Sequence, residues 1–262
     1  MQVTYRLELI SRCFVFAGWK WTKYISAKRL WVLPTVACLL LIPLSQLNFI
    51  AFHTFAELTT VCISYVVFAL GWSTYGFSKN TFLIFFACGY FWVGSLDLVH
   101  ALVFPGVDII VEGTANLSLQ FWIVTRYLEA FLFLVVSVRS LRVGSRNRIF
   151  LAISVVSIIP VAMILLGLFP EAYVENQGLT NFKVYSEYLI IIILAISVAC
   201  ISQQVEDVGA EEFALIFTAI IITIMAEISF TLYDSLSETS GSYFVILGHL
   251  LKIYSFWVVF QA

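Results

Sequence analysis

The chain has 262 residues, of which 61% are hydrophobic, 16% aromatic and only 11% charged, against about 25% charged residues in a soluble globular domain. This composition excludes water as the main solvent, and a net charge of −2 says little about partners. No polar stretch is long enough to fold as a separate soluble domain, so a single all-α membrane domain is expected.

Residues 1–29 form a distinct segment. Arg6, Arg12, Lys20, Lys23, Lys28 and Arg29 are spread through it and no small-residue cleavage site follows, so it is expected to stay on the mature chain, on the cytoplasmic side. Trp19 and Trp21 beside lysines leave two forms open, an interfacial helix on the inner membrane face and a disordered tail. The five cysteines fall in this segment or in apolar stretches, which argues against a disulfide framework.

Residues 30–262 read as a polytopic transmembrane helix bundle. A crossing helix needs about 20 mainly apolar residues. Eight such stretches follow in order: Leu30–Gln46, Asn48–Tyr75, Asn80–Phe104, Ala115–Leu141, Ile149–Phe169, Tyr185–Ser202, Glu211–Tyr233 and Ser242–Gln261. The first is short and contains Pro34 and Pro43. Lysine and arginine are retained on the cytoplasmic side. With the N-terminus inside, the N-terminal segment, Lys79 and Arg139, Arg142, Arg146 and Arg148 place eleven there, against Lys183 alone outside. An even number of spans then returns the C-terminus to the cytoplasm. The outer connections are too short for an extracellular domain, so a signal or cargo must reach the helices themselves.

Ionisable groups inside membrane helices are costly and are functional candidates by default. Helix 2 carries His53 and Glu57 at i, i+4, helix 3 Asp97 and His100 at i, i+3, and helix 4 Arg126 and Glu129 at i, i+3; helix 7 adds Glu227, and helix 8 adds His249 and Lys252. Counted from the outer helix ends, His53, Asp97, Glu227 and His249 fall roughly 8–10 Å deep, with Glu57 at roughly 14 Å and His100 at roughly 6 Å. Arg126 and Lys252 sit deeper, but their long side chains lean toward the outer end. The set therefore reads as one band in the outer half of the bundle.

His53, Glu57, Asp97, His100 and His249 are borderline-to-hard donors suited to zinc, copper(II), iron or manganese, while Arg126, Glu129, Glu227 and Lys252 are candidate ligand-binding groups. The four carboxylates outnumber the two cations, leaving two negative charges for an ion, protons or a cationic ligand. Three readings stay open: a transition-metal or haem site, a small-molecule or proton-sensing pocket, and interhelical ion pairs that merely hold the bundle together. Arg126 with Glu129 fits the last reading most readily. His100, nearest the surface, is the histidine expected to be an ordinary interfacial residue.

The segments FHTFAE (Phe52–Glu57), GYFWVGSLDLVHALVFPG (Gly89–Gly106), ANLSLQFWIVTRYLEA (Ala115–Ala130) and GHLLKIYSFWVVFQA (Gly248–Ala262) resemble the third family of bacterial membrane-associated sensor domains, from about helix 1 to the last residue. The resemblance implies an input module in the bacterial inner membrane whose last helix leads into a cytoplasmic histidine kinase or diguanylate cyclase. The chain ends at Gln261–Ala262, where a signalling linker would begin; a lone sensor, a truncated gene and an excised domain all fit. Expected partners are the lipid bilayer, that output enzyme, fused or separate, and a second copy in a homodimer, with no nucleic acid. No cyclase, kinase or phosphate-loop motif is present, so no enzymatic activity is expected. The rival readings are a transporter, which needs polar residues continuing to the cytoplasm, and an intramembrane metal or haem redox protein.

Overall fold

The computed structural model describes residues 28–107, 109, 113–138, 145–203, 210–235 and 238–262. The N-terminal segment to residue 27, and with it the choice between interfacial helix and tail, lies outside the described residues, as do Arg139 and Arg142. Among the described residues eight helices follow one another: α1 (Lys28–Leu47), α2 (Phe49–Ser78), α3 (Thr81–Leu102), α4 (Ala115–Ser137), α5 (Arg146–Leu165), α6 (Asn181–Ser202), α7 (Ala210–Ser235) and α8 (Glu238–Gln261). Between α5 and α6, β1 (Tyr173–Val174) and β2 (Gly178–Leu179) form a small antiparallel hairpin. Seven of these helices are long and apolar enough to cross a membrane. The exception is α1, whose apolar part Trp31–Leu47 is shorter and holds both prolines.

Polar punctuation sets the helix starts by capping the first amides, which have no partner inside the helix. Asn48 accepts from the Ala51 amide at 3.0 Å, Asn80 from the amides of Phe82 and Leu83, and Thr114 from that of Leu117. Thr180 does the same for Lys183. This last cap starts α6 at Asn181 rather than at the expected Tyr185, and brings Lys183 out of the outer connection into the helix. The predicted outer connection from Asp234 to Gly241 is likewise shorter, because α7 runs to Ser235 and α8 begins at Glu238.

Contacts between neighbouring helices close a ring in the order α2, α3, α4, α6, α7, α8, with α1 against α2 and α8 and α5 against α3 and α4 on the outside. Small residues allow the close approaches. A Cβ on Gly94 would stand 2.7 Å from Ser64 Cβ, and one on Gly71 would stand 2.5 Å from Ala87 Cβ, so α2 and α3 touch almost backbone to backbone. The outer surface is apolar: Leu39, Leu40, Leu151, Val155, Ile159, Leu165 and Ile192 are all exposed. Such an area is larger than a water-soluble monomer sustains. Lipid can cover it without cost. The charged groups lie at the centre of the ring.

Candidate functional site

The site lies toward the end of the bundle that carries the hairpin. Glu57 on α2 takes the Lys252 ammonium from α8 on Oε2 at 2.6 Å, and Lys252 also reaches Asp97 Oδ2 on α3 at 2.9 Å. Arg126 on α4 donates through one terminal nitrogen to both oxygens of Asp97, at 3.1 and 3.0 Å, and through the other to Glu129. Glu129 accepts in turn from the Tyr90 hydroxyl at 3.1 Å. The chain Glu57–Lys252–Asp97–Arg126–Glu129–Tyr90 thus ties α2, α8, α3 and α4 together without leaving the protein interior. Trp122 lies 4.8 Å from the charged end of Arg126 and also 4.8 Å from that of Lys252, so one indole ring supports both cations. Glu227, buried on α7, borders a small closed space with Arg126, Glu129 and Lys252.

The three histidines form a second layer, nearer the hairpin. His53 Nε2 stands 3.2 Å from His100 Nε2, and the His53 ring is 4.9 Å from the ring of His249 and stacked on Phe104 at 3.9 Å. His100 is not the interfacial residue that its height suggested. It is only 4% exposed, because Ser118 on α4 binds its Nδ1 through both carbonyl and hydroxyl. His249 Nε2 is 3.4 Å from Glu57 Oε1.

One ligand atom from each of His53, Glu57 and His249 lies within 4.8 Å of the others. Asp97 and His100, expected beside them, do not join this group. The Asp97 carboxylate is filled by Arg126 and Lys252, and His100 meets the group through His53. A haem held between His53 and His249 does not fit, since their rings pack edge to face at 4.9 Å and leave no slot for a macrocycle.

A cavity of about 430 Å³ lies above the histidines, lined by His53, His100, His249, Trp122, Lys183 and Glu187 among others, and bounded by Tyr173 and Leu179 of the hairpin. The hairpin is fastened to α4 by Asn116, whose Oδ1 accepts from the amides of Ala172 and Tyr173 at 2.8 and 3.2 Å, and by Gln120, which donates to the carbonyls of Phe169 and Pro170. Lys183 and Glu187, paired at 2.9 Å, are buried and belong to this wall. Sequence reasoning placed Lys183 in a loop and passed over Glu187; the i, i+4 spacing behind the Thr180 cap was the signal that could have found them. Tyr90 and Trp122 left no such signal, because an apolar aromatic body suits lipid as well as core.

An apolar exterior around a charged centre defines an integral, multi-pass membrane protein. More particularly, the chain belongs to the membrane-associated sensor domain family MASE3, whose model matches residues 44–262. The match begins at Leu44, near the end of α1, and so covers less of that helix than the resemblance implied. No curated protein and no solved structure matches the chain.

Proposed function

We propose that this sensor domain receives its signal in the buried polar cluster and passes it along α8 to a cytoplasmic output, with the hairpin end of the bundle outside a bacterial inner membrane and both termini inside. The observation that carries the reading is the double role of α8. Its His249 and Lys252 both meet Glu57, and Lys252 also meets Asp97. The same helix then runs from Ile253 to Gln261 without glycine or proline. A change of charge or ligation at the cluster alters which position of α8 is preferred, and an unbroken helix carries that change as a rigid body.

The output in this reading is a histidine kinase or diguanylate cyclase, fused or separate, and the domain has no catalytic step of its own. Two observations favour signalling over transport. Among the described residues no charged side chain is buried beyond Glu129 and Lys252 toward the far end of the bundle, and the hydroxyls buried there, such as those of Ser64, Ser137 and Thr218, are set among Ile84, Phe85, Phe86, Phe133 and Ile216.

Reporter fusions after Ser78, in the 139–148 turn and after Ala262 test the reading. All three should be read as cytoplasmic, as the lysine and arginine asymmetry requires. A periplasmic C-terminus would remove α8 as the route to any cytoplasmic output.

A further inference from the structure

Two electron-pair donors face each other in the wall between α2 and α8. The Nδ1–H of His249 donates to the Val245 carbonyl at 2.9 Å, which leaves the lone pair of the ring on Nε2. That nitrogen points at Glu57 Oε1, 3.4 Å away, and neither atom has a hydrogen-bond partner among the described residues. His53 supplies the third ligand atom of the group. Its orientation is also fixed from behind: the Nδ1–H of His100 donates to the Ser118 carbonyl at 2.8 Å, so His100 Nε2 accepts from the Nε2–H of His53, and the remaining His53 nitrogen, Nδ1, has no hydrogen-bond partner among the described residues. Exposure of the three side chains is 2% for His53, 0% for Glu57 and 5% for His249. A buried acceptor without a donor is costly, and opposed lone pairs add repulsion. Such an arrangement calls for a cation.

We propose that His53, Glu57 and His249 bind one divalent first-row transition-metal ion, with zinc as the simplest case, at the floor of the cavity beneath the hairpin. Two imidazoles and one carboxylate are a suitable donor set for such an ion. The Val245 carbonyl behind His249 and the His100 ring behind His53, itself oriented by the Ser118 carbonyl, act as second-shell acceptors that hold the two ligand rings in the metal-binding tautomer. Charge favours it as well. The buried groups of the described chain include five carboxylates, on Glu57, Asp97, Glu129, Glu187 and Glu227, and three cations, on Arg126, Lys183 and Lys252; a divalent ion has the charge that offsets the difference.

Three protein ligands leave a coordination position open, and the cavity above provides both an entry path and room for an exogenous ligand there. The present spread of the ligand atoms, up to 4.8 Å, is wider than donors at about 2.0–2.2 Å from one zinc ion allow. Binding therefore draws the three ligand atoms closer together, and because His249 Nε2 and Glu57 Oε1 already stand 3.4 Å apart, the closure falls on the contacts with His53. As a binding site the proposal stands on this geometry; as the origin of a signal it rests on the input-domain reading above.

The test uses the purified full chain in lipid nanodiscs, stripped with a chelator and titrated with zinc, then desalted and analysed for metal. One zinc per chain is expected, with no displacement by magnesium or calcium. X-ray absorption at the zinc edge should show imidazole scattering and a light-atom shell at about 2.0–2.2 Å. His249→Ala and Glu57→Gln should weaken binding by more than the roughly 10–100-fold that loss of an outer-shell partner costs. His100→Gln should stay within that range. Zinc that leaves on desalting, a spectrum without histidine scattering, or equal retention by wild type and folded ligand variants would overturn the site. The spectrum is read on wild type, so a variant that fails to fold does not obscure the answer. Binding is measured with no output attached, so its failure would leave the topology test of the input-domain reading untouched.

Discussion

Replacing Arg126 by methionine should cost about 3–5 kcal/mol of fold stability, the loss expected when one partner of a buried ion pair is removed and its counter-charges stay behind. This one change takes from Glu129 on α4 its paired cation and leaves Asp97 on α3 with Lys252 alone. Lys252 already serves Glu57 and Asp97 and cannot also take over Glu129. Arg126→Lys should fall between wild type and Arg126→Met, since the ammonium keeps the charge but cannot reach two carboxylates with separate arms of a planar fork. Tyr90→Phe removes only the hydroxyl that Glu129 accepts and should cost about 1–3 kcal/mol. The order Arg126→Met, then Arg126→Lys and Tyr90→Phe, is to be read from reversible unfolding in mixed micelles, with membrane insertion unchanged because the helix remains apolar. A cost below about 1 kcal/mol for Arg126→Met, the range of exposed ion pairs, would mean that water reaches the network.

The second large effect is expected at the exit of α8. One residue inserted between Phe260 and Gln261 rotates everything beyond it by about 100° and advances it by about 1.5 Å, whereas seven residues, close to two full turns, restore the phase to within about 20°. Val258 and Val259 are buried while Gln261 and Ala262 are exposed, so an insertion at this point leaves the packed part of the helix intact. With a diguanylate cyclase fused after Ala262, a single inserted residue should abolish wild-type control of cyclase output and seven should restore it. An output that ignores insertion length would show that signalling does not travel through helix phase, and would point to a partner protein docking elsewhere on the domain.

Much of this was legible in the sequence because bilayer physics is unforgiving. Eight apolar stretches separated by Asn48, Asn80, Thr114 and similar punctuation give the helices, and a charge placed in such a stretch must turn inward. His53, Glu57, Asp97, Arg126, Glu129, Glu227, His249 and Lys252 are all buried in the ring. Height along a helix, however, does not specify rotation about its axis. Arg126 and Glu129, neighbours at i, i+3, looked able to satisfy each other, yet the same guanidinium also holds Asp97. His100 looked interfacial by height, but α4 covers it with Ser118. Lys183 was missed because an error of one turn at the start of α6 moved it into a loop, and Glu187, inside the expected span, was left without its partner. Apolar stretch boundaries set by hydropathy alone carry that error whenever a helix begins with polar residues.

In the proposed mechanism the charge state of the cluster sets the position of the inner end of α8. It can be measured without knowing the natural signal. Spin labels at Phe77, fully exposed near the far end of α2, and at Gln261, in a background freed of native cysteines, report the distance between the two helices by pulsed electron spin resonance. Glu57→Gln removes the carboxylate charge shared by Lys252 and His249 while keeping the shape of the side chain. The account predicts that this substitution shifts the mean distance by about 1–2 Å, the scale of helix shifts in signalling transitions, and that Glu212→Gln on the exposed first turn of α7 does not. Superimposable distributions for wild type and Glu57→Gln would contradict it.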